Sequence, residues 1–220
     1  MAVTFSSGRG NKHSRQRGLP EPRPVATFYM DINQEERLKG KNKLEQTKER
    51  IIAVFGGSAP TEGSPGYREA RHVGRLLAEA GFTVMNGGYR GTMEAVSRGA
   101  KEAGGRTLGI TSTPFEQQGF RANPWIDRKE NTPDLLSRLR RLTRADGFLV
   151  LKGSVGTLTE LALTWSLIQT QAIPSVPFVL LGPHWRHVLD AFVANSYARS
   201  QDMAMIQVAD TPEQAVALFK

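Results

Sequence analysis

The sequence predicts an α/β fold, a three-layer sandwich in which helices cover both faces of a mainly parallel β-sheet. Two observations favour this class. From Ile51 onward, short apolar segments alternate with longer segments of helical periodicity, which is typical of parallel strands joined by helical connections. Three of the apolar segments also lead into glycine-rich turns. We therefore expect a ligand site beyond the carboxyl ends of the strands, where the strand order reverses.

The predicted strands are short apolar segments that we expect to be buried on both faces. In chain order they are 51–57 (IIAVFGG), 82–88 (FTVMNGG), 106–111 (RTLGIT), 147–153 (GFLVLKG) and 176–182 (VPFVLLG), with a strand or extended piece at 203–209 (MAMIQVA). The segment between the third and fourth strands, as far as Trp125, is predicted to be a loop.

The predicted helices separate these strands. The first carries apolar residues at helical spacing (Val73, Leu76, Leu77 and Ala80) and stops at Gly81, as an amphipathic helix does. The full set is 67–81, 91–105, 133–145, 156–171, 184–198 and 211–220.

The chain divides into a basic extension, residues 1–48, and a ligand-binding domain, residues 49–220. Residues 1–24 are rich in Gly, Ser, Arg and Pro, so we expect disorder there, and residues 25–48 are predicted to be loosely ordered. Residues 1–50 contain eleven Lys/Arg and six Asp/Glu, a charge of +5, so residues 51–220 contribute only +3 to the formal charge of +8. The domain thus lacks the clustered basic residues of a nucleic-acid-binding surface, and we expect no nucleic-acid partner.

Composition excludes several other classes. The absence of cysteine excludes disulfides, thiolate metal sites and a cysteine nucleophile. No apolar run approaches the roughly 20 residues of a membrane span, and the N-terminus lacks the apolar core of a secretory signal. We therefore expect a cytoplasmic protein with no membrane partner. The four histidines show no convincing metal-ligand spacing, so the sequence predicts no metal.

Three glycine-rich turns follow predicted strands and identify the candidate ligand site. Glycines there allow close backbone approach, and the amides of a helix start attract anions. The predicted ligand-binding residues are Gly56, Gly57, Ser58, Gly87, Gly88, Gly91, Thr92, Glu94, Gly153, Ser154, Val155, Gly156 and Thr157. Neither GxxxxGK[ST] nor GxGxxG is present in these turns, which argues against a P-loop kinase or a dinucleotide oxidoreductase.

Glu160 lies one helical turn beyond Thr157, close to the predicted anion site. Such a carboxylate could serve chemistry or merely interact favourably with the helix dipole, and Glu94 stands in the same relation to Gly91. Four arginines, Arg138, Arg140, Arg141 and Arg144, crowd the preceding helix. They could form a solvated face, or one of them could point over the sheet edge at a ligand.

Three segments resemble the LOG ("lonely guy") family, often mislabelled lysine decarboxylases: IAVFGGSAP, NGGYRGTMEAVSRGAKEAGG and ADGFLVLKGSVGTLTELALTW. The resemblance implies a Rossmann-like fold and a homodimer. It also implies hydrolysis of the N-glycosidic bond of a nucleoside 5′-monophosphate, such as AMP or a cytokinin riboside 5′-monophosphate, to free base and ribose 5-phosphate. No organic cofactor is implied, and no pyridoxal phosphate site is evident.

The family's GGxGTxxE motif matches Gly153, Gly156, Thr157 and Glu160, with Glu160 as the functional carboxylate. Ser154 replaces a glycine and Lys152 a proline. The family's catalytic arginine aligns with Ser137 and the adjacent lysine with Arg138. We take Arg138 as the catalytic arginine, with Arg141 as the alternative.

A second interpretation remains open. The segment TMEAV also resembles molybdenum-cofactor carrier proteins, which bind without hydrolysis. The chain could therefore be a carrier of a pterin-phosphate ligand, or a nucleotide sensor.

Overall fold

The computed structural model of the protein describes residues 49–220. The predictions for residues 1–48 lie outside the described residues. Seven strands form one sheet, and all of its neighbouring strands are parallel. The strands are β1 (Ile51–Phe55), β2 (Thr83–Asn86), β3 (Thr107–Ser112), β4 (Arg128–Thr132), β5 (Gly147–Val150), β6 (Phe178–Leu181) and β7 (Gln207–Ala209).

The sheet has the order β4-β3-β2-β1-β5-β6-β7. From β1 in the middle of the sheet, the chain moves outward through β2 and β3 to the β4 edge, and then returns to place β5 on the other side of β1. The order therefore reverses between β1 and β5, which pair from Ile52 with Gly147 to Phe55 with Val150. A crevice opens at such a point beyond the carboxyl ends of the strands.

Eight helices connect or flank the described strands. They are α1 (Pro65–Glu79), α2 (Thr92–Glu102), α3 (Thr113–Gln117), α4 (Leu135–Leu142), α5 (Val155–Gln169), α6 (His184–Ala194), α7 (Ser200–Met203) and α8 (Pro212–Ala217).

Two apolar cores, one on each face of the sheet, follow from the alternation of side chains along the strands. In β5, Leu149 belongs to the core with α1, α2 and α8 residues, while Phe148 and Val150 belong to the core with α4, α5 and α6 residues. The buried strands and the helices on both faces confirm the predicted three-layer, Rossmann-like α/β architecture.

The strand β4 was missing from the sequence prediction, which assigned a loop through Trp125 and then a helix. Its residues are RKENT, and only Thr132 is buried. Because β4 is an edge strand whose side chains largely face solvent, it carries no apolar run. It nevertheless pairs with β3 over five residues.

The α4 helix, which carries the arginine cluster, begins after an N-cap. The Asp134 side chain accepts hydrogen bonds from the Ser137 backbone N–H at 2.7 Å and from the Ser137 hydroxyl at 2.8 Å. Such a cap fixes the first turn of a helix, and Arg138 follows immediately. Within residues 49–220, no helix is long and apolar enough to cross a membrane.

Candidate functional site

The turns after β1 and β5 meet at the strand-order reversal. The Gly57 N–H donates to the Lys152 carbonyl at 3.2 Å. A Cβ on Gly57 would lie only 3.2 Å from the Gly153 Cα, so the two backbones approach as closely as glycines allow. This contact forms the floor of the crevice.

A cavity of about 220 Å³ lies beside this contact, on the side of α4 and α5. Its walls come from the turns after β1, β2 and β5, from the segment after β3 and from the two helices. The lining residues are Gly56, Gly57, Ser58, Tyr89, Arg90, Met93, Phe115, Phe120, Arg138, Ser154, Gly156, Thr157 and Glu160.

Arg138 reaches the cavity from α4 with its guanidinium held on several sides. Its Nε donates to the Ile110 carbonyl at 2.9 Å, and its Nη2 donates to the Gly87 carbonyl at 3.3 Å. The side chain is 8% exposed. A Cβ on Gly87 would lie 1.9 Å from Nη2, so the turn after β2 needs glycine at this position to accommodate the arginine.

Glu160 faces Arg138 across the cavity wall from the second turn of α5. Arg138 Nη1 lies 3.5 Å from Glu160 Oε1, and the glutamate residue is 9% exposed. Burial raises the pKa of the Glu160 carboxyl to about 7, and the positive charge of Arg138 acts in the opposite direction. A buried carboxyl with a pKa near neutrality can exchange a proton at physiological pH, a property common at catalytic sites.

Three aromatic rings form an apolar part of the cavity wall next to Arg138. The ring centroids of Tyr89, Phe115 and Phe120 are 5.7 to 5.9 Å apart in edge-to-face pairs. The Arg138 guanidinium carbon lies 5.7 Å from the Tyr89 centroid and 5.8 Å from that of Phe115. The wall therefore offers an apolar surface to a flat ligand while contributing cation–π stabilisation to Arg138.

The start of α5 forms the polar end of the cavity. Ser154 is the N-cap residue, and its hydroxyl makes no capping hydrogen bond. A Cβ on Gly153 would lie 2.0 Å from the Thr157 Oγ1, so Gly153 lets Thr157 pack against the turn. Free amides at the start of a 15-residue helix, with nearby hydroxyls, suit an anionic group.

A protein-family model described as the SLOG cluster4 family matches residues 49–216. The chain belongs to this family. The match, together with relatives named as LOG-type phosphoribohydrolases, confirms the predicted LOG superfamily.

Individual relatives of this SLOG chain fall into two groups. It is 28% identical over 184 residues to the cytokinin riboside 5′-monophosphate phosphoribohydrolase of Mycobacterium tuberculosis, covering 79% of this chain and 95% of the relative. The solved molybdenum cofactor binding protein of Rippkaea orientalis is 26% identical with a TM-score of 0.62, covering 78% of this chain and 96% of that chain. The molybdenum cofactor carrier protein of Chlamydomonas reinhardtii, at 24% identity and a TM-score of 0.55, covers 77% of this chain and 95% of that chain. This last likeness shows the fold alone.

Eight of the predicted site residues of the SLOG chain line the cavity together. They are Gly56, Gly57, Ser58, Arg138, Ser154, Gly156, Thr157 and Glu160. Thr92 is 2% exposed and packs over Gly56, where a Cβ would lie 2.3 Å from the Thr92 methyl carbon. Gly87 and Gly88 are buried beneath the wall.

The remaining predicted residues lie beside the cavity. Gly91 and Glu94 line a neighbouring cavity of about 370 Å³, in which the Tyr67 hydroxyl donates to the Glu94 carboxylate at 3.3 Å. Gly153 and Lys152 line another, of about 440 Å³. Val155 is 78% exposed and lines none of the three cavities.

The alternative arginine, Arg141, lies away from the cavity. Its Nε contacts the Glu130 carboxylate of β4 at 2.5 Å, and its Nη2 donates to the same carboxylate at 3.0 Å. The edge strand β4, which the sequence prediction missed, supplies the partner of Arg141. The geometry therefore leaves Arg138 as the α4 arginine that faces Glu160.

Sequence reasoning missed five lining residues: Tyr89, Arg90, Met93, Phe115 and Phe120. Tyr89 and Arg90 lie within the glycine-rich turn that the sequence singled out, so their position was an available signal. Phe115 and Phe120 follow β3, and the rule that ligands bind beyond strand ends could have found them. Among residues 49–220, no group of three or more His, Asp or Glu side chains could hold a metal ion.

Proposed function

We propose that the protein is a nucleoside 5′-monophosphate phosphoribohydrolase, which cleaves the N-glycosidic bond to release a free base and ribose 5-phosphate. The observation that carries the proposal is the buried Arg138–Glu160 pair, 3.5 Å apart, in the cavity at the strand-order reversal. The mycobacterial relative, which carries this activity in its name, supports the same reaction class.

Glu160 has two tasks in this reaction. Cleavage passes through an oxocarbenium-like state in which positive charge builds on the ribose, and a carboxylate beside the ribose stabilises it. Water forms the new bond to C1′ as the bond from C1′ to the base nitrogen breaks, and the departing base nitrogen takes up a proton from solvent. Glu160 accepts a proton from that water, so the ionised carboxylate is the active form.

Arg138 acts through Glu160. Its positive charge favours the ionised carboxylate against the effect of burial. Its contacts with two backbone carbonyls fix the guanidinium, so the pair is held in place before the ligand enters. Preorganisation of this kind is what makes electrostatic stabilisation effective.

The substrate would lie with its base against the aromatic wall of Tyr89, Phe115 and Phe120. Its 5′-phosphate would lie at the polar end, near Ser58, Ser154 and the start of α5. The ribose is then between the two, next to Glu160. We further propose a cytoplasmic location, where nucleoside monophosphates are abundant.

The direct test is incubation of the purified full chain with AMP and with a cytokinin riboside 5′-monophosphate, followed by chromatographic detection of free base. We expect base and ribose 5-phosphate in equal amounts from at least one substrate. Absence of free base from a panel of nucleoside monophosphates contradicts the proposal.

A second candidate is a non-hydrolysing carrier of molybdenum cofactor or a nucleotide sensor. Lys152 and Ser154 favour it, because the phosphate turn departs from the LOG motif at both positions, and the Rippkaea structure supports it at 26% identity. Mass spectrometry of ligand extracted from the purified protein distinguishes the two functions. A bound pterin favours the carrier, and a bound nucleotide that is never hydrolysed favours the sensor.

A further inference from the structure

The candidate cavity contains two cationic side chains among the described lining residues, Arg138 and Arg90. A nucleoside 5′-monophosphate brings about two negative charges, so its binding depends on which cation is free to meet them. The contacts of Arg138 are already committed: two backbone carbonyls accept from it, and the Glu160 carboxyl lies 3.5 Å from its Nη1. Its donors are therefore largely occupied inside the protein.

Arg90 is in the opposite situation. It is exposed, and no acidic side chain among residues 49–220 forms an ion pair with it. Lys152, the other basic residue of the crevice, lines the separate 440 Å³ cavity and not this one. Of the two cationic side chains that line the cavity, Arg90 is thus the one whose donors remain available to a ligand among the described residues.

The backbone around Arg90 is fixed, although its side chain is exposed and forms no ion pair within residues 49–220. Gly88 and Gly91, on either side, have φ angles of +80° and +74°, a conformation that strongly favours glycine. The Asn123 side-chain amide donates to the carbonyls of Gly88 and Tyr89 at 3.1 and 2.9 Å. The turn therefore holds Arg90 at the mouth of the cavity at little entropic cost to the backbone.

Acidic residues next to Arg90 limit where an anion can lie. Arg90 and Ser58 border both the candidate cavity and the neighbouring 370 Å³ cavity, which also contains Glu62 and Glu94. Glu62 is paired with Arg98 at 2.5 Å, whereas Glu94 accepts a hydrogen bond from the neutral Tyr67 hydroxyl and forms no ion pair with a basic side chain among residues 49–220. The Glu94 carboxylate therefore repels a phosphate on that side. The favourable position for an anion is consequently inside the candidate cavity, between Arg90, Ser58 and the start of α5.

We propose that Arg90 binds the 5′-phosphate and is the residue that selects nucleoside monophosphates over nucleosides. The proposal rests on the proposed function for the ligand class, but not for the reaction. It assigns separate tasks to the two arginines: Arg138 positions Glu160, and Arg90 recognises the charged end of the ligand.

The test measures binding of AMP, ribose 5-phosphate and adenosine by calorimetry to the full chain and to Arg90→Gln, Arg90→Lys and Arg75→Gln. Arg75 is exposed on α1 and lines none of the three cavities, so its variant controls for the loss of one positive charge. For Arg90→Gln we expect about 10- to 100-fold weaker binding of both phosphorylated ligands and unchanged binding of adenosine, because a charge-assisted contact to phosphate is lost. Arg90→Lys should recover part of the affinity.

The same variants separate this inference from the proposed reaction. If the full chain releases base, Arg90→Gln should raise KM for AMP while kcat changes little. Weakened AMP binding without any base release supports Arg90 and contradicts the hydrolase. Base release with AMP affinity equal in Arg90→Gln and Arg75→Gln overturns the role of Arg90 and leaves the hydrolase intact. Failure of the full chain to bind either phosphorylated ligand also overturns it.

Discussion

Burial and Arg138 act on the Glu160 carboxyl in opposite directions, and burial has the larger effect. The folded protein therefore holds a carboxyl with a pKa of about 7, well above the value of about 4.3 for an unstructured glutamate. Ionising this carboxyl in the folded state costs free energy. The same raised pKa lets the group gain or lose a proton near physiological pH. Its consequences for activity and for stability have opposite signs.

For activity, the raised pKa of Glu160 predicts how the rate of base release depends on pH. If the ionised carboxylate is the active form, kcat/KM for base release should rise between pH 6 and pH 8 and level off above the apparent pKa near 7. The measurement is a rate profile at constant ionic strength. A rate that instead falls over this range would assign Glu160 the role of a general acid.

For stability, the raised pKa of Glu160 predicts how the free energy of unfolding of Glu160→Gln depends on pH. Because the folded-state pKa is raised, the protonated carboxyl contributes stability that is complete below about pH 4 and is lost as the pH rises through about 7. The amide introduced by this substitution would carry no charge at any pH. We expect the free energy of unfolding of Glu160→Gln to exceed that of the parent at pH 8, by up to about 3 kcal/mol, and the difference to vanish near pH 4.

Turnover of Glu160→Gln should fall, whereas its stability at pH 8 should rise. Loss of the charge removes stabilisation of the oxocarbenium-like state, so we expect base release to fall at least 100-fold, or about 3 kcal/mol of barrier. Thermal melts at pH 5 and pH 8, with Glu79→Gln as an exposed control, accompany the rate assay. Unchanged turnover in a destabilised variant would make Glu160 a structural residue.

At the scale of elements, the glycine-rich turns hold side chains as well as ligands. The clearest case is Gly87, after β2, where a Cβ would lie 1.9 Å from Arg138 Nη2 and 2.7 Å from the Met93 sulfur. The absence of a side chain at Gly87 thus allows the turn after β2 to pack against the arginine of α4. The glycine-rich turn led the sequence analysis to predict Gly87 as a ligand-binding residue, and the structure shows that this glycine also makes room for the Arg138 guanidinium.

Gly87→Ala should therefore damage the site more than the fold. Displacement of Arg138 removes a charge that lowers the pKa of Glu160, so the pH profile should shift to higher pH and turnover at pH 7 should fall. The control is Gly66→Ala in α1, where a Cβ makes only ordinary contact, 3.6 Å from Pro60. An unshifted profile in Gly87→Ala would contradict this coupling.

The strands also show which parts of the fold could be predicted from the sequence. Buried parallel strands such as β1 and β5 are recognisable because each is apolar on both faces. The edge strand β4 is not recognisable in this way, since it pairs with β3 along one side while most of its side chains remain unburied. Glu160 and Arg138 could be proposed from motif resemblance, but the ring cluster of Phe115 and Phe120 depends on how the segment after β3 folds over the sheet edge.

At the scale of the whole molecule, an apolar groove of about 460 Å³ lies between α5 and α6, distinct from the candidate cavity. Its rim exposes large apolar side chains: Leu158, Val188, Phe192 and Tyr197 are each 46% exposed or more. The resemblance to the LOG family predicted a homodimer. The homodimer stays a prediction, and the exposed groove is our candidate for its interface, since apolar surface of this kind commonly marks one.

The homodimer prediction is tested by Val188→Asp, which introduces a charge into the groove. The full chain should elute with twice its 24.2 kDa mass in light scattering at micromolar concentration, and Val188→Asp should shift it toward the monomer, because a buried unpaired charge is costly at an interface. Leu218→Asp is the matched control, since Leu218 is 39% exposed at the end of α8 and does not line the groove. A 24.2 kDa particle for the unmodified chain would refute the dimer. Equal dissociation by both variants would mean that another surface holds the two copies together.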